Sequence, residues 1–216
     1  MCARSFRCKE HVRLSAQNSA VAQHTVTALT VSRLAFAIIM AFVLPGRQDT
    51  MWATIVCLAM VLLIELTDVL DGYCARRFGV VSRFGKMLDP YSDSISRLIV
   101  FWTLARSGRC LELVPLCMAI RDLTCAYSRI ALAQAGCDVS ARMTGKVKAV
   151  VQGFAAGFLT AGPIYWNWAC WGGKLQTPLT WFFSLAVIGI LLISVVDYVW
   201  AAAKSWRDEA KPSSAD

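Results

Sequence analysis

Apolar residues in this chain come in six long runs separated by short polar stretches, a pattern that predicts helices near the roughly 20-residue length needed to cross a hydrocarbon core. The runs cover about residues 26–44, 52–71, 87–106, 111–134, 147–166 and 179–203, and Leu44-Pro45-Gly46 supplies a helix stop after the first. The expected fold class is therefore all-α: a polytopic membrane protein with six transmembrane helices and an N-terminal interfacial segment. Three divisions follow. Residues 1–24 form a basic segment lying on a membrane surface, 25–204 the six-helix body, and 205–216 a polar C-terminal tail. No internal repeat is evident.

Composition supports the membrane reading. Of the 216 residues, 57% are hydrophobic and 17% charged, whereas a soluble domain sits nearer half apolar and a quarter charged. The net charge of +8 does not point to nucleic acid, because the basic residues follow the membrane flanks instead of forming one soluble face. Six spans put both termini on one side. That side carries fourteen Lys and Arg, among them Arg4, Arg13, Arg76, Arg83, Lys146, Lys148 and Lys204, against four on the other: Arg47, Arg106, Arg109 and Lys174. The positive-inside rule makes the first side cytoplasmic. Trp52, Trp166, Trp168, Trp171 and Trp181 gather at the opposite ends of their spans, as an aromatic belt would. Most of the nine cysteines lie in apolar runs and act as small hydrophobes; Cys110 and Cys170 fall on the far side, where a disulfide is conceivable. With only His11 and His24, a histidine-based catalyst or zinc site is not expected.

The candidate chemistry lies at two of the cytoplasmic ends. Asp68 and Asp71 close the second run, and Asp89 and Asp93 open the third. At spacings of three and four each pair shares a helix face. Four carboxylates near a bilayer require cations among them, and oxygen-only donors suit Mg2+ or Mn2+. Two such ions would stabilise attacking and leaving oxygens in a displacement at phosphorus. Gly72 and Gly85 would let a pyrophosphate approach the backbone, and Arg76 would bind phosphate or a base edge. One interfacial Asp is usually only a surface charge; four at this spacing, with glycines and Arg76 between them, are poorly explained that way. Glu65, one turn before Asp68, is expected to make a polar contact between helices. Arg97, one turn after Asp93, is expected either to pair with an acid or to help bind an acceptor. Gly153 and Gly157 form a small-xxx-small face for close helix approach within one subunit or, less readily, across a dimer seam.

The pattern D-x2-D-G-x2-A-R-x8-G-x3-D-x3-D resembles the signature of the CDP-alcohol phosphotransferases at Asp68, Asp71, Gly72, Ala75, Arg76, Gly85, Asp89 and Asp93. The resemblance implies a dimeric six-helix membrane enzyme with a cavity open to the cytoplasm. It implies two metal ions on Asp68, Asp71, Asp89 and Asp93, with Asp93 also the catalytic base. It assigns Gly72, Ala75, Arg76, Ser82 and Gly85 to the CDP-lipid, whose β-phosphate is attacked as CMP leaves.

The acceptor is addressed by other segments. Leu29-Thr30-Val31-Ser32-Arg33, Arg121-Asp122 with Arg129, Gly145-Lys146-Val147-Lys148 with Gln152, and Asp197-Tyr198 resemble the phosphatidylglycerophosphate synthase branch. Asp122 stands for that branch's Glu, Ala149 for its Thr, Ser94 for a Lys and Thr27 for an Asn. The likeness implies CDP-diacylglycerol and glycerol 3-phosphate as substrates, with Arg121, Arg129, Lys146 and Lys148 holding the acceptor phosphate. Simple anchoring of the cytoplasmic loop is the alternative for the two lysines, and anchoring explains Arg121 and Arg129 less well. A bacterial inner membrane, with the site facing the cytoplasm, is the expected location. Inositol phosphate or phosphatidylglycerol as acceptor remain alternatives, and a cation transporter is the competing class. Acids confined to one membrane face argue against transport.

Overall fold

The computed structural model describes residues 28–46, 50–78, 83–134, 143–168 and 176–209; at 71–78, 83–87, 89, 131–134, 143–146, 166–168, 176 and 204–209 it describes the backbone alone. All of the regular structure in these residues is helical. The helices are α1 (Ala28–Val43), α2 (Met51–Phe78), α3 (Arg83–Arg106), α4 (Leu113–Gln134), α5 (Met143–Trp168) and α6 (Gln176–Glu209). The interfacial segment 1–24 and the end of the polar tail lie outside the described residues.

Several helices outrun the expected spans. α2 continues through Asp71 and Gly72 to Phe78, and α6 reaches Glu209. Ala75, Arg76 and Arg77 in α2, and Ala201–Ala203, Lys204 and Arg207 in α6, are good helix formers, so helix propagates beyond the apolar run. Three helices hold stretches long and apolar enough to cross a membrane, Met51–Leu70, Val147–Tyr165 and Thr177–Ala203, while α1 is a shorter apolar helix. α3 and α4 carry too much charge to meet that standard, including Asp93, Arg97, Arg121 and Asp122. Those charges pair with one another inside the bundle, as described below.

The bundle is apolar outside. Phe42, Tyr127, Val150, Phe154 and Val196 are among its most exposed large side chains, as expected where lipid replaces water as solvent. Its middle is also apolar: Ala37 and Met40 of α1, Val61 and Ile64 of α2, Phe101 and Leu104 of α3, Val114 and Met118 of α4, Ala155 and Leu159 of α5, and Val187 and Leu191 of α6 share one core. Helical spacing sets these inward faces. In α4 the stripe Val114, Met118, Arg121, Cys125 stays buried while turning polar toward one end. Thr30 and Arg33 in α1, Ser92, Ser96 and Arg97 in α3, Lys148 and Gln152 in α5, and Ser194 in α6 put buried polar groups at that same end. α6 packs along both α4 and α5, and α2 packs on α5.

The opposite end is closed by a helix cap. Gly108, at φ +69°, donates to Ala105 O at 2.9 Å, and Arg109 N donates to Leu104 O at 2.9 Å, the paired bonds of a Schellman turn ending α3. The turn sends Arg109 inward, where Nη1 donates to Thr160 O (3.1 Å) and Nη2 to Thr54 Oγ1 (3.1 Å). Pro163 has no N–H to give Leu159 O, so Arg109 reinforces α5 close to its weakest turn. Cys110, next in sequence, is a free thiol 3.6 Å from Ser184 Oγ; Cys170 lies outside the described residues.

Candidate functional site

Two polar centres occupy the charged end. The first joins α1, α2, α3 and α5. Asp68 Oδ1 on α2 lies 3.1 Å from Arg33 Nη1 on α1, and Asp93 Oδ1 on α3 lies 3.9 Å from the same nitrogen. Arg97, one turn beyond Asp93, donates from Nε to Asp93 Oδ1 at 2.8 Å. Its Nη1 donates to Glu65 Oε1 (2.9 Å) and Ala149 O (3.2 Å), and its Nη2 to Glu65 Oε2 (3.3 Å), with Asp68 Oδ2 at 3.9 Å. Both guanidiniums are sealed inside, at 1% and 6% side-chain exposure, whereas Asp68 and Asp93 retain 42% and 33%. The cations are thus structural counter-charges beneath carboxylates that remain open. Among the described side chains of this centre three acids, Glu65, Asp68 and Asp93, stand against two bases, Arg33 and Arg97.

The second centre joins α4, α5 and α6. Asp122 Oδ1 accepts from both Arg121 Nη1 and Lys148 Nζ, each at 2.7 Å. Arg121 turns its Nε and Nη2 to Ser194 Oγ, at 3.1 and 2.7 Å. Tyr198, almost wholly buried, contacts two cations: the Arg121 and Arg129 guanidiniums stand 5.7 and 5.3 Å from its ring centroid, and Arg129 Nη2 also donates to its hydroxyl. Arg121 and Lys148 share Asp122, and Arg129 joins them through Tyr198, so cations predominate in this centre. The two centres abut, because Ala149 O, bonded by Arg97, adjoins Lys148 in α5, and Asp93 lies within electrostatic reach of the lysine.

The structure therefore brings Asp68 to Asp93, and Arg121, Arg129 and Lys148 to one another. Asp71, Gly72, Ala75 and Arg76 fall on the last two turns of α2, Gly85 and Asp89 on the first two of α3, and Lys146 on the first of α5, where only the helical backbone is described. Ser82 lies outside the described residues. Among the described residues no three His, Cys, Asp or Glu side chains form a metal-holding group. Arg97 pairs with acids, the first of its two expected roles, and Glu65 makes the expected interhelical contact. Sequence reasoning missed Ser194 and gave Tyr198 no role. Their one signal was a serine and a tyrosine on the inward stripe of an otherwise lipid-like helix.

Comparison with known proteins places the chain in a family. The family model for CDP-alcohol phosphatidyltransferase matches residues 23–206. A protein of Treponema pallidum named CDP-diacylglycerol–glycerol-3-phosphate 3-phosphatidyltransferase is 36% identical over 97 residues, 44% of this chain and 45% of that protein. Proteins of the same name from Rickettsia bellii (30% identical, 62% of this chain and 73% of that protein) and Yersinia enterocolitica (29% identical, 86% and 97%) match over longer stretches. The match covers the whole helical body that carries both polar centres: the chain belongs to the CDP-alcohol phosphatidyltransferase family, membrane transferases of phospholipid biosynthesis.

Proposed function

We propose that the chain transfers the phosphatidyl group of CDP-diacylglycerol to the primary hydroxyl of glycerol 3-phosphate and releases CMP. The observation that carries this reading is the meeting of Asp68 and Asp93 from separate helices beside a cluster of three cations. An open negative centre next to a positive one suits a nucleophile that itself bears a phosphate. The named activity of the Treponema, Rickettsia and Yersinia relatives supports the same choice.

The family generally uses divalent metal ions. The residues present fit such ions: the donors are carboxylate oxygens, two converge on one guanidinium, and the acids outnumber the buried bases. Asp68, Asp71, Asp89 and Asp93 would hold two ions, Mg2+ or Mn2+. Bound there, the ions would offset charge building on the attacked phosphoryl group and the departing CMP.

The chain's own residues do the rest. Gly72, Ala75, Arg76, Ser82 and Gly85 receive the CDP head while the acyl tails stay in lipid. Arg121, Arg129, Lys146 and Lys148 hold the acceptor's phosphate, whose charge of nearly −2 matches the positive excess of the second centre. Asp93 takes the hydroxyl proton, the freed oxygen pair attacks the β-phosphorus, and the bond from that phosphorus to the bridging oxygen breaks as CMP leaves. Six spans, a site facing the cytoplasm of a bacterial inner membrane, and a homodimer among membrane lipids complete the reading. The test is to supply purified protein with labelled CDP-diacylglycerol and glycerol 3-phosphate, inositol 1-phosphate or phosphatidylglycerol in turn. Phosphatidylglycerophosphate and CMP from the first alone are expected. Product only from another acceptor, or cation flux in sealed vesicles without CMP, overturns the reading.

A further inference from the structure

We infer that Glu65, Arg97 and Gly153 form a brace that holds the Asp93 carboxylate by its Oδ1 edge and so positions it for the reaction. The inference rests on phosphatidyl transfer with Asp93 as base.

Among the described residues Arg97 makes four hydrogen bonds, all to groups of the protein itself. Its Nη1 and Nη2 grip both oxygens of Glu65, Nη1 also reaches Ala149 O, and only Nε is left for Asp93. A guanidinium facing a single carboxylate prefers a two-bond fork that would engage both of its oxygens. Glu65 prevents that by occupying the terminal nitrogens. The Arg97 hydrogen bond and the approach of Arg33 both meet Asp93 at Oδ1.

Glu65 is held in turn by α5. A Cβ added at Gly153 would stand 2.8 Å from Glu65 Oε2, 3.0 Å from its Cδ and 3.1 Å from Oε1. Gly153 is therefore the seat of the Glu65 carboxylate, and any side chain there displaces it. The same substitution at Gly157 meets nothing within 4 Å, so the effect belongs to Gly153. Three helices meet at this point, with Glu65 on α2, Arg97 and Asp93 on α3, and Gly153 and Ala149 on α5. Of these, Glu65, Arg97 and Gly153 act on the reaction only through Asp93; they are positioning residues.

The experiment measures phosphatidyl transfer in proteoliposomes with Gly153→Ala, Glu65→Asp and the double variant. Alanine is the better helix former, so a structural role limited to helix stability predicts a thermal unfolding temperature equal to wild type or higher, with unchanged turnover. The brace predicts that Gly153→Ala lowers kcat about tenfold or more, as misplacement of a catalytic group does, while KM for both substrates stays within about twofold. Glu65→Asp withdraws the carboxylate by one methylene, so adding it to Gly153→Ala should recover a substantial part of the lost kcat. Wild-type kcat in Gly153→Ala, or losses that multiply in the double variant, would overturn the brace. Where Gly153→Ala does not purify, Glu65→Gln serves: lower kcat at constant KM supports the brace, unchanged kcat refutes it. A wild-type protein that forms no product defeats the transfer reading itself, and the brace falls with it.

Discussion

Asp68 and Asp93, carried by different helices, reach the same nitrogen of one arginine: Arg33 Nη1 stands 3.1 Å from the first carboxylate and 3.9 Å from the second. A buried cation from α1 thus gathers the acid-bearing ends of α2 and α3. Removing it leaves like charges facing each other at a membrane boundary. Arg33→Met should lower turnover about 100-fold and reduce the unfolding temperature, because uncompensated charge is costly in such surroundings. Arg33→Lys keeps the charge without the planar fork and should lose about tenfold. Proteoliposome kinetics and thermal unfolding of the purified variants check both.

Lys148 Nζ donates to Asp122 Oδ1 at 2.7 Å, and in the proposed reaction it also meets the acceptor's phosphate. Lys148→Ala should raise KM for glycerol 3-phosphate about 10- to 100-fold, the loss of one charge-assisted contact of about 1.5–3 kcal/mol, and leave KM for CDP-diacylglycerol nearly unchanged. Equal effects on both KM values would contradict the assignment of Lys148 to the acceptor.

Tyr198 acts through both its ring and its hydroxyl. Tyr198→Phe removes the acceptor of Arg129 but keeps the ring beside both guanidiniums, and should cost about 1 kcal/mol of acceptor binding. Tyr198→Ala removes both and should weaken glycerol 3-phosphate binding further. The comparison is made on KM for glycerol 3-phosphate at constant lipid concentration.

Arg109 separates stability from catalysis. Arg109→Ala leaves Thr54 Oγ1 without its donor in the interior, removes the bond to Thr160 O and opens a cavity, and should lower stability by about 2–4 kcal/mol, with KM values intact for the protein that remains folded. Denaturation of the purified variant, paired with its kinetics, tests this.

Burial pushes the Cys110 thiol up to about 11, with hydrogen bonds to Ser184 and Leu111 O opposing the shift. A raised thiol value means that the folded state keeps its proton where the unfolded state has lost it. Its contribution to stability is whole below the ordinary thiol range and is lost as pH rises through about 11. At pH 7.5 Cys110 should resist maleimide in the folded protein and react after denaturation, as followed by intact mass.

Local chemistry made much of this legible from sequence. Spacings of three and four placed Asp68 with Asp71 and Asp89 with Asp93 on shared faces, and intramembrane arginines at 121 and 129 announced a polar interior. Hydropathy counts residues without knowing where they point. It therefore cannot show that the charges of α3 and α4 face inward, and those two helices fall short of a simple apolar standard. The hidden relations are tertiary. Gly153 and Gly157 look equivalent in the sequence, yet only Gly153 lies under the Glu65 carboxylate. Ser194 and Tyr198 gain meaning only when α6 is laid along α4, which brings them to arginines far away in the chain.

The central claim is that Asp93 removes the proton from the attacking alcohol, and the most direct measurement is CMP release by purified Asp93→Asn protein. Asparagine preserves size but cannot take up the proton, so with saturating CDP-diacylglycerol, glycerol 3-phosphate and Mg2+ the rate should fall by about 10²–10⁴ while the protein unfolds at its normal temperature. Release of CMP at a rate near that of the wild type would contradict the account.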